Sequence, residues 1–483
     1  MSAGTGVVPP RPKRPPVARP GMAGAIVVAV GLSVAYAIGQ ILFWSAPELR
    51  QWSNVIIVFL PPEPAPFKVT RVLLLTGWGV AVLLGLWLFV IWRNGTAAAV
   101  GTVRACQFGI LGALLLPFAV MPLDAFGSSL PQLLLCLLTT GAALLLVHRV
   151  QLLRRLPGWL LLAGLGWGAL ISGGLGIVMI TWYQRYAPGF LLDWESPQAT
   201  VRTYLTLMSL NAALVTELGK AAGVAVLFFL FRRHFDGVVS GVVVGAAVGL
   251  GYNLAETVHF MSLINVAHHP TQFWDRQVVG LMATHVAFTA LAGAGIGAAR
   301  WLTERRDRLL VVGGGLLAAV GGHFETDMVL MHLDKRRSGW FGDDDTLSLL
   351  LGVPLLTVLT SGIFVVLYVL VLRRGLRAQA AGVGEALRAE AASGQGAVTE
   401  PEIGLLLSPR RRLLLELRVW RRDGTAGLRH LLRFQQAQLD LAVQRWHRTR
   451  PGADTFIPSE HQLRQKVMEL KGTAMPLATR EAS

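Results

Sequence analysis

Apolar residues gather into ten long runs separated by short polar stretches: about 23–45, 71–92, 103–122, 129–147, 158–182, 205–231, 238–261, 277–299, 309–331 and 348–372. A helix needs about 20 predominantly apolar residues to cross the hydrocarbon core of a bilayer. The pattern therefore predicts an all-α, polytopic membrane helical bundle of about ten transmembrane helices. Ala35-Tyr36-Ala37 has the small-residue form of a signal-peptidase site, but the first apolar run continues to Trp44, too long for a cleaved signal. It is read as an uncleaved first span.

Composition agrees with that reading. Of the 483 residues, 53% are hydrophobic and only 15% charged, where soluble domains carry about 25% charged residues. The net charge of +16 suggests nucleic acid until its distribution is considered. Arg11, Lys13, Arg14 and Arg19 face no acid within 1–20, and 373–483 holds 19 basic against 11 acidic residues. The basicity thus belongs to the two flanks of an apolar middle, as in the cytoplasmic ends of a membrane protein, and no nucleic-acid partner is expected. Cys106 and Cys136 lie in separate apolar runs and form neither a disulfide framework nor a zinc motif.

Loop charges orient the chain. With the N-terminus inside, the inner loops hold Arg93, Arg149, Arg154, Arg155, Arg232, Arg233, Arg300, Arg305, Arg306 and Arg308. The outer loops are poorer in basic residues, and their cluster at Lys335, Arg336 and Arg337 sits beside Asp334, Asp343, Asp344 and Asp345. The bias places both termini in the cytoplasm of a multi-pass plasma-membrane protein. Four regions follow: a basic arm over 1–20, a scaffold of about five spans over 21–200, a polar-rich core of about five spans over 201–372, and a basic helical tail over 373–483. The tail opens with an Ala/Gly-rich linker to about 400. Two basic amphipathic stretches follow near 403–422 and 426–448, read either as a solvated helical hairpin or as a helix lying on anionic lipid.

The chemistry lies in polar residues inside the later spans: Glu217 and Lys220, Asn253 and Glu256, His285, then His323 and Asp327. A charge at mid-bilayer costs about 2.5–3.5 kcal/mol on insertion scales, and such residues face a bundle interior or a cavity. Glu217 and Lys220 are three apart and His323 and Asp327 four apart, so each pair shares a helical face. Converted to depth along antiparallel helices, all five acidic and histidine positions fall in the outer half, within roughly 12 Å of one another at 1.5 Å per residue. A lone Glu–Lys pair is as often a structural ion pair, and a lone intramembrane His more often bonds a neighbouring helix. The joint pattern on four consecutive spans points instead to one site facing the outer leaflet. Such a set can activate water: a carboxylate serves as general base, and histidines ligate a metal or hold an oxyanion. Glu256-x-x-His259 resembles half of a di-iron motif, but such bundles need two. His259, His268, His269 and His332 are read as interfacial.

In order along the chain, these residues resemble the PrsW family of intramembrane proteases, distantly similar to type II CAAX prenyl proteases. Thr216-Glu217-Leu218-Gly219-Lys220 stands where the family has E-E-x-x-K, and Tyr252-Asn253-Leu254-Ala255-Glu256 matches an aromatic four residues before a glutamate. His285 heads a small-residue helix running into Gly293, Gly295 and Gly297, and His323-Phe324-Glu325-Thr326-Asp327 supplies a histidine with a polar residue four on. The resemblance spans about 205–330. It implies hydrolysis of a peptide bond in a membrane-anchored protein, an anti-sigma factor being one such substrate, at the outer side of the bilayer. It also implies Glu217 as general base, with Glu256, His285 and His323 as metal ligands or as water and oxyanion partners. Lys220 and Asp327 then orient Glu217 and His323. Family sites are described both as zinc-dependent and as metal-free glutamate sites; the zinc reading places the ion on His285 and His323 with Glu256 or Asp327 third. Thr216 departs from the motif, so a catalytically inactive scaffold or chaperone stays open, as does an ion- or proton-coupled transporter using the same buried charges.

Overall fold

The computed structural model describes residues 20–45, 65–94, 99–191, 197–337, 340–341, 345–450 and 459–478. The basic arm over 1–19, the stretch 46–64 and Asp343 and Asp344 lie outside them. No strand occurs among the described residues. In chain order the membrane helices are α1 (Pro20–Ser45), α2 (Ala65–Arg93), α3 (Val100–Ser128), α4 (Leu130–Arg149), α5 (Gly158–Gln184), α6 (Pro197–Phe231), α7 (Val238–Leu263), α8 (His285–Ala299), α9 (Arg305–Arg337) and α10 (Val353–Ala392). Among the described residues, nine helices are long and apolar enough to cross a membrane.

The eighth expected span is the exception. Its helix begins only at His285 and runs 15 residues, about 22 Å at 1.5 Å per residue, too short to span on its own. The first part of the predicted run is a π-turn at Trp274–Val279 and a bend through Gly280–Thr284. Hydropathy cannot separate an apolar loop from an apolar helix. What holds this loop is side-chain bonding: Asn253 Nδ2 donates to Arg276 O at 3.1 Å, Gln277 Nε2 to Thr257 Oγ1 at 3.0 Å, and Trp274 Nε1 to Leu349 O at 3.0 Å. Irregular backbone at membrane depth survives only where protein buries it or where it lines a water-filled cavity.

α7 is the hub. Nearly all of its membrane-crossing length is buried, whereas α2 presents Leu75, Leu83, Leu86 and Trp92 outward, the surface expected to meet lipid. The reason is glycine at every fourth position, Gly237, Gly241, Gly245 and Gly249, facing Gly293 and Gly297 of α8. A Cβ on Gly241 would overlap the Gly293 carbonyl, and one on Gly293 the Gly241 carbonyl. On the opposite side Gly251 admits the Leu165 carbonyl of α5. Small residues at such spacing let membrane helices pack backbone to backbone, and here they bring Glu256 of α7 beside His285 of α8.

The Ala/Gly-rich stretch after 373 is not a linker. α10 continues unbroken to Ala392, as its alanines favour. It is followed by α11 (Glu400–Leu406), α12 (Pro409–Arg448) and α13 (Glu460–Ala478). α12 is two helices meeting at Gly424, whose φ of 66° breaks the run. Its second half packs Leu439, Ala442, Val443 and Trp446 against Val383, Ala386 and Leu387 of α10, and Glu390 accepts from both Arg445 and Arg464. The tail is tied to the membrane core by Arg154, which donates to Asp236 Oδ1 at 2.7 Å and to Asp440 Oδ1 at 3.1 Å.

Candidate active site

Depth along the helices is the first test of a shared site. Glu217 and His285 each stand 14 residues from the tail-side ends of α6 and α8 at Phe231 and Ala299. Glu256 and His323 each stand 18 from the tail-side ends of α7 and α9 at Val238 and Arg305. At 1.5 Å per residue all four lie about 21–27 Å from the tail side, in the far half of the bundle. The side chains then meet. Glu217 and Lys220 are fully buried, and His285 and His323 nearly so. Lys220 Nζ donates to Glu217 Oε1 and lies 3.2 Å from His285 Nδ1. His323 Nδ1 is 2.9 Å from Glu217 Oε1, and Thr289 Oγ1 approaches Glu217 Oε2 at 3.5 Å. One ligand atom each from Glu217, His285 and His323 falls within 4.8 Å of the others.

Behind the two histidines stand two more carboxylates. His285 Nε2 is 2.7 Å from Glu256 Oε2, and His323 Nε2 is 3.6 Å from Asp327 Oδ2. Each imidazole thus turns Nε2 toward an acid, with Nδ1 of His323 on Glu217 and Nδ1 of His285 on Lys220. Arg276 Nη1 donates to Glu256 Oε2 at 2.6 Å and Tyr252 Oη to Glu256 Oε1 at 3.1 Å, while Phe288 stacks on the His323 ring. The group opens into a cavity of about 480 Å³ that Glu256, His285, His323 and Asp327 line together with Met208 and Thr360. Partly buried carboxylate and imidazole groups on a cavity of that size are equipped to activate water against a bound polar bond.

Residues 156–359 match the family described as PrsW family intramembrane metalloprotease. No curated protein and no solved structure matches the chain. The PrsW match bears out the resemblance drawn from the four motifs, contains every residue of the cluster, and identifies a membrane-embedded peptide hydrolase family.

Within the PrsW region, all six residues singled out by spacing surround one place, but not as equals. Glu217, Lys220, His285 and His323 form the centre; Glu256 and Asp327 stand behind the histidines. Glu256 lies outside the three-residue group that is close enough to share an ion. His259 points elsewhere, near Phe260, and His269 meets Gln132 at 3.3 Å, both apart from the centre. Sequence reasoning missed Arg276, because the trio Asp275-Arg276-Gln277 reads as the polar boundary of a span, and it missed Thr289. Thr216, the departure from the motif, is fully buried and places Oγ1 3.1 Å from His323 Nδ1.

The family's description implies a metal. The donor set fits one: two imidazoles and a carboxylate with ligand atoms within 4.8 Å of one another, each Nε2 facing an acid in the manner of metal-binding histidines. Lys220 Nζ reaches into the same donors, so an ion held there would take over contacts the ammonium makes with Glu217 and His285.

Proposed function

We propose that this protein is an active intramembrane endopeptidase that cleaves a membrane-anchored protein within the bilayer, with Glu217 as the residue that takes the proton of the attacking water. The observation that carries the reading is the convergence of Glu217, His285 and His323 within 4.8 Å, with the two histidines lining a cavity in the far half of the bundle and Glu217 buried behind them. His285 and His323 would hold a zinc ion beside Glu217, which stays free as the base; when bound, that ion would lower the pKa of a coordinated water and polarise the scissile carbonyl. Glu256 and Asp327 then act as positioning residues that fix the imidazole tautomers. Lys220 keeps Glu217 oriented and neutralises its charge away from water. The loop-charge bias supports a plasma-membrane protein with both ends cytoplasmic, which sets the far half toward the outer leaflet. A single-span anti-sigma factor has the form of substrate such a site would take.

Cleavage of purified single-span substrates, with and without chelator, tests the proposal. Glu217→Gln is expected to lose activity by about 100-fold or more, the span general acid–base groups usually contribute. Because that change strands a buried ammonium, which is itself destabilising, the double variant Glu217→Gln with Lys220→Met serves as the folding control. Cleavage retained in a well-folded Glu217→Gln protein would move the base elsewhere.

A further inference from the structure

We propose that the first half of α12, residues 409–423, is an amphipathic helix that lies on the bilayer surface and recognises anionic phospholipid, binding that owes nothing to the catalytic centre. Three observations carry it. The first is an apolar face with no protein cover. Leu413 is 50% exposed, Leu414 55%, Leu417 40% and Trp420 49%, four large apolar side chains left open within eight residues. At about 100° per residue, Leu413, Leu417 and Trp420 form one stripe and Leu414 borders it.

The second is charge. The same fifteen residues hold Arg410, Arg411, Arg412, Arg418, Arg421 and Arg422 against Glu416 and Asp423. Arg410, Arg411, Arg418, Arg421 and Arg422 are exposed and lie along one side of the stripe. An apolar stripe bordered by arginines is the arrangement that seats a helix at the headgroup boundary, each basic residue adding about 1 kcal/mol near an anionic surface. A water-facing helix has no use for a half-exposed tryptophan beside three half-exposed leucines.

The third is position. The helix begins beside the short loop that joins α4 to α5: Leu153 of that loop packs with Ile403 and Leu406 of α11, immediately before α12, and Arg412 at the start of α12 is buried. The Gly424 break releases this half from the second half of α12, which is packed on α10. One end is thus fixed beside the cytoplasm-facing ends of two membrane helices, and the bilayer those helices cross is the surface within its reach. The edge adjoining the stripe on its other side carries Arg412, which is buried, and Glu416 and Val419, which are half-buried.

The test uses the full-length protein in nanodiscs, on a background with Cys106 and Cys136 replaced by Ser. Trp420→Cys carries an environment-sensitive fluorophore, and Arg422→Cys, on the opposite side of the helix, is the control. Discs contain phosphatidylcholine alone or phosphatidylcholine with phosphatidylglycerol, each with and without a doxyl-labelled lipid. The expected result is a blue-shifted, doxyl-quenched signal at position 420 that strengthens with phosphatidylglycerol, and a water-exposed signal at position 422. Replacing Arg410, Arg418 and Arg421 together by Gln should remove the phosphatidylglycerol dependence while leaving the exposed side chains of the tail core untouched. A label at 420 that stays in water in both discs overturns the proposal. So does one that is shielded but not quenched by doxyl lipid, which would mean a protein cover such as a second copy. Equal quenching with and without phosphatidylglycerol overturns the anionic recognition.

Discussion

Glu256 Oε2 stands 2.7 Å from His285 Nε2 although the two residues sit on different helices, 29 positions apart. The same oxygen accepts from Arg276, and Oε1 accepts from Tyr252. With both oxygens engaged, this carboxylate is a strut: it anchors His285 at Nε2 and leaves Nδ1 facing Lys220. The glycine ladder between α7 and α8 makes the contact possible, because only backbone-to-backbone packing brings the two side chains this close.

Glu256→Gln should therefore behave as the loss of a positioning group. Removing a carboxylate behind a functional histidine typically costs about 10–100-fold in metal affinity or activity. The expected result is a kcat lowered by that factor with KM little changed. Arg276→Gln should give a smaller loss in the same direction, since Tyr252 still holds Oε1. A Glu256→Gln protein with native kcat would remove Glu256 from the mechanism.

Lys220 makes the metal question measurable without any activity. Its ammonium already pairs with Glu217 and lies 3.2 Å from His285 Nδ1, so a divalent ion must displace a cation to use those donors. Lys220→Met, close in volume, should raise zinc affinity above that of the native protein in equilibrium dialysis, and adding His285→Ala or His323→Ala should abolish the gain. Zinc binding that ignores all three substitutions would place the ion outside this centre.

The membrane helices were legible in hydropathy because bilayer thickness imposes a length that few other constraints produce. The site was legible for a related reason: a charged group in a span has to be compensated, so Glu217, Lys220, Glu256, His285, His323 and Asp327 stood out against apolar neighbours. Periodicity carries which residues share a face, and depth carries which helices can meet. Neither carries rotation, which decided that Glu256 faces the outer nitrogen of His285 rather than the centre. The loop at Trp274–Thr284 stayed hidden because burial against polar partners, not polarity of its own, keeps it irregular. Arg276 was hidden with it.

The tail should respond to acid. Asp236 lies between α6 and α7 with Arg154 at 2.7 Å and His447 Nε2 at 3.2 Å. Burial opposes its ionisation, but Arg154, His447 and Arg300 outweigh that and hold its pKa below the ordinary carboxylate value. Burial likewise holds His447 below its ordinary 6.5 despite the pull of Asp236. Both groups bind more protons once the tail leaves, so docking is complete above the ordinary histidine value and is lost as pH falls through the docked pKa values. Hydrogen exchange across 435–447, taken relative to the intrinsic amide rate at each pH, should be slower at about pH 7.5 than at about pH 5. Arg154→Gln should speed it at both, and His447→Asn should flatten the upper part of the profile. Exchange independent of pH in the native protein would show that these groups do not secure the tail.

Thr216 tests which carboxylate does the work. Its hydroxyl lies 3.1 Å from the same His323 nitrogen that Glu217 approaches at 2.9 Å, so the side chain is a partner of the centre and not a gap in it. Its methyl group is pressed toward Gly176, where an added Cβ would meet it at 3.2 Å, which leaves little room for a longer residue. Thr216→Val keeps the shape and removes one hydrogen bond, about 0.5–1.5 kcal/mol or a several-fold loss of rate if that bond is made in the transition state. Thr216→Glu sets a second buried carboxylate beside Glu217, and two such groups disfavour each other's ionisation. With Glu217 as the base, the native protein is active and Thr216→Glu cleaves the same substrate more slowly. An inert native protein that gains cleavage on Thr216→Glu would assign the base to the position before Glu217 and make the native chain a silent relative of the family it matches.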